Sequence, residues 1–193
     1  MTGYEYVVNP ETPSLGGNIW QGDPWTFAPG VWRYMIDRFA VRSVLDVGSG
    51  RGHAANWFHK AGCQVVAVDG EYLNVKNALY PTVHHDLTVT SFRCYVDLVH
   101  CQEVAEHIPE KYVPELLDTL CNGKVILMTH AFPGQDGHSH VNCQPSQYWI
   151  GLIESRGYTF LPDDSIRVKD IAKEEKAHHL ARSGLVFAGK MIL

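Results

Sequence analysis

Apolar residues fall into two kinds of run along this chain. Some runs are short and nearly unbroken: "SVLDVG" at 43–48, "QVVAVD" at 64–69, "YVDLVHC" at 95–101, "GKVILMTH" at 123–130 and "GLVFAGKMIL" at 184–193. A strand without in-out alternation is buried on both faces, as in a mostly parallel sheet covered by helices. "TVHHD" at 82–86 and "YTF" at 158–160 are shorter candidates of the same kind. Other runs repeat every three or four residues. Trp32, Met35, Ile36 and Phe39 share a face after Pro29, and Ala54, Trp57, Phe58 and Ala61 share one before Gly62. Further helices are expected up to Leu79 before Pro81, from Pro114 to Leu120, from Pro145 to Gly157, and through the charged "KDIAKEEKAHHLAR". Strands alternating with helices predict a single doubly wound α/β domain over residues 28–193.

Residues 1–27 break this alternation. Pro10, Pro13, Gly16, Gly17, Gly22 and Pro24 predict an irregular arm, neither strand nor helix. Trp20, Trp25 and Phe27, together with Trp32, either close over a ligand as a lid or pin the arm to the core.

Composition narrows the function classes. The chain has 193 residues, 45% of them hydrophobic, enough for one domain with a full core. A formal charge of −5 with no Lys/Arg cluster argues against a nucleic-acid surface. The opening "MTGYEYVVNP" has neither the basic nor the apolar part of a leader, and no apolar run reaches membrane-spanning length. Cys63, Cys94, Cys101, Cys121 and Cys143 are scattered without a C-x-x-C pair, which predicts reduced thiols and a cytoplasmic setting.

The candidate chemistry starts at "VLDVGSGRG", Val44–Gly52. Glycines at the end of a first strand let backbone approach a ligand at the switch point of the sheet. No G-K-[ST] follows, so the loop is not that of a nucleoside triphosphatase. The dinucleotide pattern also fits poorly, because its last glycine position is His53, and Asp46 would stand near a diphosphate. A cationic ligand removes that conflict. S-Adenosylmethionine carries an ammonium and a sulfonium and no phosphate, so Asp46 can hold the ammonium side. Asp69 then accepts from the ribose hydroxyls and Asp86 from the adenine amino group, with Tyr72 and Leu87 against the ring.

With "VVAVDG", "HDL" and "LVHCQEVAEHIP" following in order, the chain resembles the class I S-adenosylmethionine-dependent methyltransferases. The E-x-x-E-H run is similar to that of the small-molecule branch that includes the ubiquinone-pathway O-methyltransferases. The resemblance spans about residues 29–193. It implies a Rossmann-like seven-stranded sheet of order 3-2-1-4-5-7-6 with strand 7 antiparallel. It implies cofactor contacts from Asp46, Gly48, Ser49, Gly50, Asp69, Gly70, Asp86, Leu87 and Gln102.

Methyl transfer is an in-line displacement, and a hydroxyl acceptor calls for a base. His107, His130 and His140 stand near the ends of the fourth and fifth strands, and His140 is the preferred base. A divalent ion held by these histidines with Glu103 or Asp136 is the competing arrangement. No spacing here matches a metal signature, so no metal is expected. The strand-four sequence "CQEV" lacks the [DNS]-P-P-[YFW] of DNA amino-methyltransferases, leaving a small-molecule hydroxyl as the expected acceptor, with a homodimer compatible with the fold. The alternatives are a nicotinamide-dependent oxidoreductase on the same sheet, or a module that binds the cofactor without consuming it.

Overall fold

The computed structural model describes residues 5–12 and 15–189. Seven strands form one sheet: β3 (Ser43–Val47), β4 (Gln64–Asp69), β5 (Thr82–His84), β6 (Val96–Cys101), β7 (Gly123–Met128), β8 (Tyr158–Phe160) and β9 (Leu185–Gly189). Their spatial order is β5-β4-β3-β6-β7-β9-β8. Counted within the sheet, this is 3-2-1-4-5-7-6. Pairing is parallel from β5 to β7, and β9 runs antiparallel to both of its neighbours. The expected continuation of the last strand past residue 189 lies outside the described residues.

Helices cover both faces: α1 (Pro29–Phe39), α2 (His53–Lys60), α3 (Tyr72–Lys76), α4 (Val113–Leu120), α5 (Ser146–Ser155), α6 (Pro162–Glu174) and α7 (His178–Ser183). α1 starts on Pro29, whose missing N–H costs nothing in a first turn. α3 stops at Lys76, short of the expected Leu79, where the Asn77 side chain caps the Leu73 carbonyl. The charged C-terminal stretch is two helices, broken where Lys176 adopts a left-handed φ of 61°. One apolar cluster packs α4 and α5 against one face of the sheet, and a second packs α1, α2, α6 and α7 against the other. None of these helices is long and apolar enough to cross a membrane.

The arm departs from expectation. β1 (Tyr6–Val8) and β2 (Gly16–Ile19) pair as an antiparallel ribbon, and Trp20 N–H donates to the Glu5 carbonyl just beyond it. Two of the three glycines that suggested irregular chain sit inside β2, at left-handed φ values of 83° for Gly16 and 88° for Gly17. A two-stranded ribbon this short is not stable by itself, so side-chain ties to the domain must hold it.

Trp32 is a core residue, 1% exposed, among Trp57, Phe58 and His100. Its indole Nε1 donates to His100 Nε2 at 3.3 Å. Trp32→Phe keeps the ring but strands that imidazole nitrogen, so we expect a loss of about 1–3 kcal/mol in thermal or urea unfolding. A loss no larger than that of an exposed aromatic, Phe27→Leu, would show that the bond contributes nothing.

Candidate functional site

The loop after β3 approaches the loop after β6 so closely that glycine is required. Gly48 has φ +63°, and a Cβ there would lie 2.3 Å from Val104 Cγ2. Beneath it Asp46 is buried at the end of β3, in register with His100 of the neighbouring β6. His100 Nδ1 lies 2.7 Å from Asp46 Oδ1. An indole N–H can only donate, so Trp32 makes His100 Nε2 an acceptor and leaves the ring proton on Nδ1, facing Asp46. Asp46 Oδ2 is buried without a hydrogen-bond partner, as are Ser49 Oγ and Gln102 Nε2.

These residues line the floor of a cleft of about 1040 Å³. Arm residues 16–27 form one wall and residues 135–140 another, with His107 between them. Beyond Gly50 a smaller cavity of about 100 Å³ is lined by Asp69, Gly70, Asp86, Leu87, Val104 and arm residues Leu15, Gly16 and Asn18. Asp69 braces this corner. Its Oδ2 accepts from Gly50 N–H at 2.7 Å, and its Oδ1 accepts from Glu71 N–H and from Asn74 Nδ2. Burial lifts its pKa to about 6 despite those donors. Asp86 Oδ1 accepts from both the backbone and the hydroxyl of Thr88. Tyr72 is 56% exposed and packs on His84, outside the lining of either cavity, so of the two residues expected against the ring only Leu87 borders a cavity.

The histidines separate cleanly. His130 is 1% exposed, its Nε2 bonded to Ser146, and it lines neither cavity. β7 ends two residues before it, which turns the ring away from the cleft. His107 and His140 both line the cleft, edge to face, with ring centres 5.1 Å apart. Burial and the neighbouring His140 depress the His107 pKa to about 4, so its ring is neutral. His140 Nδ1 faces the Gln135 carbonyl at 3.2 Å, which fixes the proton there and leaves Nε2 with a lone pair.

Glu106, a residue not picked out from sequence, is fully buried beside His107, and neither carboxyl oxygen has a hydrogen-bond partner. Burial and the charge of Glu103 push its pKa to about 8, so it is mostly protonated at neutral pH. Ligand atoms of Glu106, His107 and His140 all lie within 4.8 Å of one another. The E-x-x-E-H spacing was the available signal: a 3-10 turn at Ala105–His107 sets His107 in the cleft wall and buries Glu106 beside it.

Glu103 serves a different purpose. It takes a left-handed φ of 56°, held by Thr129, whose hydroxyl accepts from Glu103 N–H and donates to Oε1. Its Oε2 meets His179 Nδ1 at 2.8 Å, and His179 Nε2 meets Asp23 Oδ2 of the arm at 3.0 Å. Burial opposes the charge on His179, but the bonds to Asp23 and Glu103 overcome it and raise the pKa to about 10. Burial likewise opposes the charge on Glu103, which His179 nonetheless holds below its ordinary pKa. The histidine contribution is therefore complete below its unfolded pKa of about 6.5 and is lost as pH rises through about 10. The carboxylate contribution is lost when acid neutralises Glu103. Limited proteolysis should find the arm protected at pH 7 and cut faster as the pH approaches 10. In His179→Ala the pH 7 protection should already be gone. An arm equally resistant at both pH values would show that this clamp does not hold it.

Residues 25–168 match a family described as methyltransferase domain. Solved structures share the fold. Magnesium protoporphyrin IX methyltransferase from Synechocystis PCC 6803, with bound SAM, aligns over 69% of this chain and 68% of its own, at 16% identity and TM-score 0.58. A SAM-dependent methyltransferase from Archaeoglobus fulgidus aligns over 87% of this chain and 94% of its own, at 18% identity and TM-score 0.58. The methyltransferase domain of bacterial CtHen1-C aligns over 86% and 99%, at 16% identity and TM-score 0.60. No curated protein sequence matches significantly.

Proposed function

The chain belongs to the methyltransferase-domain family and uses S-adenosylmethionine, and from that premise we propose that it methylates a hydroxyl oxygen of a small molecule bound in the large cleft. The observation that carries the cofactor side is a set of three buried, unpartnered polar atoms on residues that line the cleft at the glycine loop: Asp46 Oδ2, Ser49 Oγ and Gln102 Nε2. An acceptor oxygen, a hydroxyl and an amide donor suit the ammonium and carboxylate of an amino acid, and ligand atoms would relieve a desolvation cost the free protein carries. Asp69, Gly70, Asp86 and Leu87 border the nucleoside half. When bound, S-adenosylmethionine supplies an activated methyl group on a sulfonium.

The protein's own contribution is placement and proton handling. The cleft walls orient the acceptor and exclude water, which lowers the barrier to an in-line displacement. His140 Nε2, free because Nδ1 faces the Gln135 carbonyl, accepts the hydroxyl proton. The cleft is also bordered by Trp25 and Phe27 of the arm, apolar groups that favour a partly apolar acceptor. The reading is tested by titrating S-adenosylmethionine and NAD separately, then assaying S-adenosylhomocysteine release across alcohols, phenols, carboxylates and amines. Cofactor binding with release on hydroxyl compounds supports it. Release only on amines or carboxylates removes the acceptor reading, and stabilisation by NAD alone would favour the oxidoreductase.

A further inference from the structure

Four features at and just behind one wall of the large cleft are left unused by the cofactor reading. Glu106 is fully buried, and neither carboxyl oxygen has a well-formed hydrogen bond, its close polar neighbour being the Glu103 carboxylate. His107 Nδ1 is buried and equally unpartnered. The His107 ring is hydrogen-bonded to the Ser139 backbone, and since Nδ1 makes no bond, that bond belongs to Nε2. The His140 ring is likewise anchored through one nitrogen, Nδ1, to the Gln135 carbonyl. Each imidazole thus presents an unprotonated nitrogen while the other nitrogen is pinned to backbone, the arrangement that orients histidines toward a metal ion. A polar atom stranded away from water is costly, and here one ligand atom from each of Glu106, His107 and His140 lies within 4.8 Å of the other two.

We propose that Glu106, His107 and His140 form a binding site for one divalent transition-metal ion. Two nitrogens and one carboxylate are a borderline donor set, suited to zinc, iron or manganese and poor for magnesium, which prefers oxygen. Three protein ligands leave coordination positions open. Because His107 and His140 also line the large cleft, the open side faces the place where the acceptor sits. With the ion bound, His140 Nε2 is a ligand and no longer the base: the ion would coordinate the acceptor's oxygen and promote loss of its proton to solvent, as a Lewis acid does without a change in oxidation state. Glu106 must ionise on binding, so uptake of the ion releases one proton. This rests on the hydroxyl-methylation reading for its catalytic purpose, while the site itself is defined by the three side chains.

Full-length protein stripped with chelator and then titrated with Co²⁺ should bind about one equivalent, with visible d–d absorption of a low-symmetry nitrogen–oxygen site, and Zn²⁺ should displace it. Glu106→Gln and His140→Ala should each weaken Co²⁺ binding by at least about tenfold, within the usual range for lost ligands and their supports. His140 lies in a half-buried loop, so its variant should keep the wild-type melting temperature even if Glu106→Gln does not. S-Adenosylmethionine affinity, measured on the same samples, should be unchanged by metal or by either variant. No Co²⁺ binding by the wild type, or equal binding by the variants, overturns the metal site. Loss of S-adenosylmethionine binding with Co²⁺ binding intact would instead remove the methyl-transfer reading and leave the site standing.

Discussion

Replacing His140 by alanine should lower turnover by about 10²–10⁴-fold while leaving the dissociation constant of S-adenosylmethionine unchanged. The expectation follows from position. His140 borders the cleft, its Nδ1 is committed to the Gln135 carbonyl, and its Nε2 therefore keeps a lone pair. The loss should fall on kcat, since the histidine acts on the acceptor's proton or its oxygen and leaves the cofactor alone. His130→Ala is the control, because that ring is tied to Ser146 outside the cleft. It should cost folding stability and little turnover per folded molecule. Measurement needs the acceptor found by S-adenosylhomocysteine release. A His140→Ala enzyme within about threefold of wild type, on that acceptor, would remove the residue from the chemistry.

Asp46→Asn should weaken S-adenosylmethionine at least about 100-fold, or about 2.7 kcal/mol. The carboxylate is buried at the cleft lining, its Oδ1 is held by His100, and its Oδ2 has no hydrogen-bond partner. Asparagine can still accept from His100 Nδ1, so the fold and the Trp32–His100–Asp46 chain survive. The negative charge that would meet the ligand's ammonium is lost, and truncating one side of a buried charged contact typically costs about 2–5 kcal/mol. Isothermal titration reads the change directly. Affinity within about threefold of wild type would mean that the ammonium is held elsewhere.

The sheet was legible in the sequence because its strands are apolar on both sides, a pattern that needs no knowledge of partners. The glycine loop was legible because left-handed φ at Gly48 and Gly50 is a local demand. The arm was not, because β1 and β2 are three and four residues long and their pairing depends on distant groups. Asn18 bonds Asn74 in both directions, and the Arg51 guanidinium donates to the Trp20 carbonyl while stacking 4.3 Å from its ring. His100 was hidden inside an apolar strand, although the pairing of β3 with β6 sets it opposite Asp46. Trp32 was taken for a possible lid residue because aromatic residues near a glycine-rich arm look alike whether they face ligand or core. Glu106 escaped attention because its meaning depends on His140, 34 positions later, arriving at the same wall.

The ribbon of β1 and β2 sets a toll on exchange. Leu15 and Gly16 lie over the corner formed by Asp69, Gly70 and Asp86, where the Leu15 side chain comes within 3.0 Å of where a Cβ on Gly70 would be. A nucleoside held in that corner is expected to leave more slowly while the arm stays in place, tied by Asn18 to Asn74 and by Thr12 to Glu71. Those ties lie away from the reacting atoms, so their expected effect falls on how long spent product lingers and leaves the bond-making step alone.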